Sequence, residues 1–198
     1  MKALKALFLT FAVFLLAACA APLTVKESSV LRSNVQKAKN LQIVYVDATM
    51  TVASQQSWGR PVSTANTEFG IFGDSVTSQA GTVFSKRGVS VVSATVQDDK
   101  KPLRLPEAVN PDKPLLVITP TKGKIEANGH ATTANYVFSV YMIDAVGKSA
   151  FWKATIDTNA WIGQNIVMMA VPSSKYDAAF AEKFLNALAD QMQKDGVL

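Results

Sequence analysis

"LQIVYVDAT", Leu41 to Thr49, and "DSVTSQAGTVFSKRGVSVVSATV", Asp74 to Val96, decide the fold. In the first stretch Leu41, Ile43 and Tyr45 form one alternating set and Val44 and Val46 the other. Both sets are apolar and rich in β-branched and aromatic residues, the pattern of a strand buried on its two faces. In the second stretch Asp74 is placed to cap a helix, and Val76, Ala80, Val83 and Phe84 recur at helical spacing. Lys86 and Arg87 precede Gly88, so positive charge meets the negative end of the helix just before a residue suited to a left-handed cap. "VSVVSATV", Val89 to Val96, follows as a second strand. Strand, helix, strand in this order predicts a crossover onto a parallel neighbour.

Beyond a charged, proline-rich connection from Gln97 to Pro114, three further strands are predicted, at 115–122, 135–144 and 149–158. "ANGHATT" and "DAVGKS", the latter with Gly147, are short enough to make them an antiparallel meander. A terminal helix is predicted over 174–194. Ser174 would cap it, and Tyr176, Phe180, Phe184, Leu188 and Met192 form its apolar stripe, widened by Ala181 and Ala187. The expected fold is a two-layer α/β (α+β) domain. A mixed sheet of five or six strands would carry the 74–87 and 174–194 helices on one face. Residues 50–73, with Trp58, Phe69 and Phe72, read as a long loop, part of which suits a further strand. Residues 160–171, "AWIGQNIVMMAV", suit a lid, a partner site or one more buried strand.

The amino terminus carries different information. "MKALK" is basic, Ala6 to Leu16 is almost wholly apolar, and small residues follow. The apolar run falls short of the roughly 20 residues that a membrane-crossing helix needs. This is the layout of a secretory signal peptide over 1–18. Its last residues and the next, Leu16-Ala17-Ala18-Cys19, match the lipobox of the bacterial lipoproteins, and the chain resembles that family over its first two dozen residues. The resemblance implies a diacylglyceryl group on the Cys19 thiol, cleavage before Cys19 and an acylated new amino terminus. Cys19 is the only cysteine in the chain. Lipidation would remove the one thiol that could otherwise pair wrongly after export. Each buried methylene of an acyl chain contributes about 0.8 kcal/mol, so two or three chains anchor stably where one is marginal. Ala20, in place of the Asp that retains enteric-type lipoproteins at the inner membrane, implies the periplasmic leaflet of the outer membrane. Residues 19–40 then read as the lipidated cysteine and a tether, and 41–198 as one periplasmic domain.

The chain of 198 residues has 20 Lys plus Arg against 15 Asp plus Glu. Removing Lys2 and Lys5 with the leader leaves 18 against 15, which gives no reason to expect nucleic-acid binding. His130 is the only histidine, in a turn, so neither a Ser-His-Asp triad nor a zinc site has its usual complement. Neither Gly-x-Gly nor a phosphate loop occurs. Asp98-Asp99 reads as a solvated turn rather than as converging acid and base. No cofactor is expected beyond the acyl chains on Cys19, and no metal.

Trp58, Phe69, Phe72, Tyr141, Trp161 and Ile162 remain as candidates for an interaction surface. Aromatics of the 50–73 loop and of 160–171, and the second face of 135–144, would supply it. The order β-α-β, meander, helix behind a lipobox is similar to a recurring class of envelope lipoprotein domains. These include the activators of peptidoglycan synthases, the curli-secretion lipoprotein and auxiliary lipoproteins of lipid-transport systems. The resemblance implies a non-enzymatic adaptor or accessory subunit that docks on an envelope protein complex. A lipid- or glycan-binding module is the alternative, and an unrecognised hydrolase the third reading. The Cys19→Ala variant is expected to yield a soluble processed protein, or one held only by an uncut leader. Fractionation that finds the cleaved variant wholly in the membrane would overturn the anchor.

Overall fold

The computed structural model describes residues 23–48, 51–56, 61–65, 68–98, 100, 113–128, 131–144, 149–158, 161–164 and 178–198. In chain order the elements are β1 (Thr24–Val30), β2 (Asn40–Asp47), β3 (Thr51–Gln56), β4 (Pro61–Ala65), α1 (Glu68–Ser85), β5 (Ser90–Asp98), β6 (Leu115–Asn128), β7 (Ala131–Asp144), β8 (Ser149–Asp157), β9 (Trp161–Gln164) and α2 (Ala178–Lys194). Six strands form an open mixed sheet in the order β1-β8-β7-β6-β2-β5. As the sequence predicts, β2 and β5 are parallel, β6, β7 and β8 form an antiparallel meander, and both helices lie on one face. β2 runs between two parallel neighbours, β5 and β6, and Leu41 to Tyr45 are buried without a break.

Two expectations need correcting. Residues 19–40 are not all tether, because Thr24–Val30 pairs antiparallel with β8 as the edge of the sheet. Residues 50–73 are not one loop. β3 and β4 form an antiparallel pair within them, and α1 starts at Glu68, so Asp74 is an exposed residue inside the helix rather than its cap. The 174–177 start expected for the last helix lies outside the described residues.

One line of irregular pairing, a crease in the register, crosses the sheet. β3 continues the line of β2 along β6, and β9 continues the line of β8 along β7. Gln42 to Ala53 spans eleven steps against nine from Leu115 to Lys124 on β6, so two residues are taken up at the β2–β3 break. β6 carries its own irregularity between Pro120 and Lys122. Proline has no N–H to give to the ladder, and a bulge is where a sheet tolerates it. On the β8–β9 side, Thr158 closes the gap. Tyr136 N–H donates to Thr158 Oγ1 at 2.8 Å and Thr158 N–H donates to Tyr136 O at 2.9 Å. Past this line the strands β4-β3-β6-β7-β9 form a smaller distal leaf.

The core lies between the sheet and the helices. Phe72 of α1 is its hub, with ring centroids 6.1 Å from Tyr45 of β2, 5.5 Å from Phe138 of β7, and 5.8 and 5.5 Å from Phe180 and Phe184 of α2. Next to it, Gly73 faces Tyr45 so closely that a Cβ would sit 2.6 Å from the ring. Both helices close with a Schellman motif. Gly88 (φ 73°) donates to Ser85 O and Val89 to Phe84 O, while Gly196 (φ 75°) donates to Gln193 O and Val197 to Met192 O. Phe84, Val89, Met192 and Val197 are all buried, so each cap also closes over apolar contact.

Beyond the caps, Arg87 donates to Asp190 Oδ1 and to the carbonyls of Val83 and Asn186, and Lys86 reaches Glu182 at 3.1 Å. The basic pair expected to offset the dipole of α1 thus also docks α2. At the far end of α2, Asp195 accepts from Trp152 Nε1 at 2.8 Å and from Gln191 Nε2 at 2.8 Å, and Gln191 also donates to Ser28 Oγ of β1.

Two glycines of one helix should answer the same substitution with opposite signs. Gly73→Ala forces a methyl into a ring that cannot move, and is expected to destabilise by about 1–3 kcal/mol in urea unfolding. Gly81→Ala meets nothing within 4 Å at an exposed helical position and is expected to stabilise by about 1 kcal/mol or less.

Candidate functional site

The faces of the sheet differ in chemistry. Toward the helices, Tyr136, Phe138, Val140 and Met142 of β7 and Trp152, Ala154 and Ile156 of β8 are buried. On the outer face, Val44, Leu115 and Val117 form a small buried cluster flanked by Val46 and Ile143. Gln42 beside them is buried as well, and its Nε2 donates to Lys113 O at 3.1 Å. Further along, over β7, β8 and β1, the outer face turns polar and open. Register places Tyr141 opposite Lys153, Ser139 opposite Thr155, and Lys153 opposite Ser29. With Glu27, these residues line a shallow depression of about 380 Å³. Hydroxyl groups dominate it, with one amine and one carboxylate. The second face of 135–144 is therefore not the wholly apolar patch that Val137, Tyr141 and Ile143 alone would give.

A second depression, of about 290 Å³, lies beyond the end of β1. The 31–39 connection forms one wall, and Pro114, Asp144 and Phe151 form the other. Arg32 Nη1 pairs with Asp144 Oδ2 at 3.1 Å, and Leu31 N–H donates to Phe151 O at 2.8 Å, so the connection is fastened at both β7 and β8. Asn34 takes a left-handed conformation (φ 61°), one that asparagine tolerates better than most side chains.

Val30 (43 %), Leu31 (46 %) and Tyr141 (38 %) are three of the four exposed large hydrophobics among the described residues. Val30 pairs with Trp152, and Trp152 with Met142, both buried toward the helices, so Val30 belongs to the helix-facing side of the sheet and Tyr141 to the outer one. The fourth, Val92, is on the opposite edge strand, β5.

The six residues singled out in the sequence separate into three groups. Tyr141 is exposed in the site just described. Phe72 is fully buried and central to the core, so it is not part of any interaction surface. Phe69 belongs to the first turn of α1 and Trp161 and Ile162 begin β9, while Cys19, Trp58 and His130 lie outside the described residues. Of 160–171, residues 161–164 are a strand on β7, and the others fall outside the described residues. Asp98 accepts from Lys100 N–H at 2.9 Å, the local turn expected of it. Val30, Leu31, Ser29 and Arg32 were missed because they lie in a segment read as tether. The signal that would have found them is Val-Leu followed by Arg-Ser-Asn, an exposed apolar pair entering a turn.

No family model matches the chain, and no curated protein matches it. Among solved structures it is similar to the PelC dodecamer from Paraburkholderia phytofirmans, at 16% identity over 84% of this chain and 96% of that one, with a TM-score of 0.35. It is also similar to protein XCC0632 from Xanthomonas campestris, of family DUF330, at 10% identity over 89% and 95%, TM-score 0.46. A neuraminyllactose-binding hemagglutinin homologue from Helicobacter pylori stands at 9% identity over 85% and 94%, TM-score 0.45. At these values no residue role transfers, and the site is read from its own residues.

Phe72 and Tyr141 should separate stability from binding. Phe72→Ala removes the hub of the core and is expected to cost about 3–5 kcal/mol. Tyr141→Ala is expected to change unfolding free energy by no more than about 0.5 kcal/mol, the range of ordinary surface substitutions. A large loss at Tyr141 in a denaturant titration would make it a structural residue and remove it from the site.

Proposed function

We propose that this chain is a lipid-anchored envelope protein, exported with residues 1–18 as its leader and acylated at Cys19. It acts without catalysis, as an adaptor or accessory subunit that docks on a partner protein from the periplasmic leaflet of the outer membrane. The lipobox Leu16-Ala17-Ala18-Cys19 supports the anchor. The observation that carries the adaptor reading is the exposed Tyr141 ring in a depression lined by Ser29, Ser139, Lys153 and Thr155. Exposed apolar groups rimmed by polar ones are the anatomy of a protein-binding patch, with an aromatic as its anchor. The ionic pair Arg32–Asp144 is engaged within the site, which suits a shaped surface rather than a reactive one.

One observation favours a second reading, a glycan-binding face. Ser29 Oγ is buried with no hydrogen-bond partner among the described residues, and the hydroxyls of Ser139, Tyr141 and Thr155 line the same depression. A polyhydroxyl ligand would satisfy such a surface.

Photo-crosslinking residues at Leu31 and Tyr141, with Val92 as the distant control, distinguish the readings in intact cells. The adaptor reading expects one and the same protein captured from Leu31 and Tyr141 and not from Val92. Glycan adducts at Tyr141 would replace it with the second reading. Labelling equal at all three positions, or absent at Leu31 and Tyr141, would reject the site.

A further inference from the structure

We infer that the distal leaf of the sheet is a lipid-contacting surface, held against the same bilayer that the acyl chains of Cys19 enter. The inference rests on the proposed lipidation of Cys19. Its geometry comes from the sheet register. Thr24, Asp157, Val137 and Lys122 make one row across β1, β8, β7 and β6. Cys19 precedes Thr24 by five positions, so the linker spans at most about 17 Å even when fully extended. The amino-terminal end of β1 therefore cannot stand far from the membrane.

Beyond that row the β6–β7 hairpin continues in the direction of the anchor. β6 runs from Lys122 to Asn128 and β7 returns from Ala131 to Val137, six residues each way. At strand rise this is about 20 Å, as long as the linker or longer. Twist of about 20–25° per strand leaves most of that reach along β1, because β7 is only two strands away. The leaf thus overshoots the point from which the chain is tethered.

The sequence of the leaf agrees with this placement. Lys122 is exposed, and Lys124 follows it on β6. β9 begins with Trp161 and Ile162. Lysine and tryptophan are the residues favoured at an anionic headgroup layer. The opposite end of the sheet holds the start of β5 and the 31–39 connection, and it faces away from the lipid. The bilayer thus takes one end of the sheet and leaves the other free for a partner.

The test uses the full lipidated protein in vesicles of phosphatidylethanolamine and phosphatidylglycerol. With the Cys19 thiol acylated, a cysteine introduced elsewhere is the one site open to an environment-sensitive fluorophore. Labels are placed by Asn128→Cys at the hairpin tip, Lys122→Cys at the crease and Ser90→Cys at the far end. Headgroup-quencher lipids are expected to quench in the order 128, 122, 90, with several-fold stronger quenching at 128 than at 90. Acylated protein in which position 128 is quenched no more than position 90 would overturn the inference and leave the lipoprotein reading intact. A blue-shifted label at 128 without lipid quenching would assign the leaf to a second copy or another protein, and also overturn it. An unmodified Cys19 by intact mass would overturn the lipoprotein reading and this inference together.

Discussion

A helix can lie no nearer a sheet than its facing residues allow, and in this fold the limiting residue is Gly73. Without a side chain there, α1 settles against the Tyr45 ring of β2. That close seat brings Phe72 among Tyr45, Phe138, Phe180 and Phe184, from two strands and α2. Edge-to-face rings contribute about 0.5–1.5 kcal/mol beyond their burial. Phe72 therefore fixes the position of α2 as well as that of α1. α2 in turn holds β1, through Gln191 on Ser28, and β8, through Asp195 on Trp152. The edge that carries Ser29, Val30 and Leu31 is thus held in place from the core outward.

The crease divides the labour of the sheet. On one side of it lie six strands, two helices and the main core. On the other lie strands with few apolar residues, such as "TVASQQ" in β3, continuing lines begun in the main sheet. The irregularity between Pro120 and Lys122 takes up an extra residue on β6 while its pairing with β7 continues on both sides. The leaf keeps the ladder of the main sheet.

What was legible in the sequence follows from where apolar residues had to go. β2 and the meander were readable because burial demands β-branched and aromatic runs there, and β5 because Val91, Ala94 and Val96 pack against the core. α1 was readable only from Asp74 onward. Its first turns, "EFGIFG", contain two glycines, and glycine before a helical stripe reads as loop. Yet Phe72 stands four residues before Val76, which stands four before Ala80, so the stripe already extended into the supposed loop. β1, "TVKESSV", was unreadable because an edge strand needs few apolar residues. In 50–73 one further strand was expected, and the structure has two, β3 and β4. The site was legible only at Tyr141, an aromatic on the alternation phase opposite to Phe138, Val140 and Met142. Its other members entered through the pairing of β1 with β8, which no local pattern announces.

That pairing also governs how the molecule reaches its folded state. Thr24 meets Asp157, so the first strand must wait for a partner 133 residues later in the chain. The central strand β2 likewise precedes both of its neighbours, β5 and β6. Contacts so distant in sequence are slow to form, since each closes a long loop before it returns any stabilisation. Until then β2 presents an unpaired strand apolar on both sides, the kind of segment that aggregates when exposed. A newly made chain of this topology stays open and sticky for longer than a helical bundle of equal size, and its yield will depend on what shields Leu41 to Val46 in that interval.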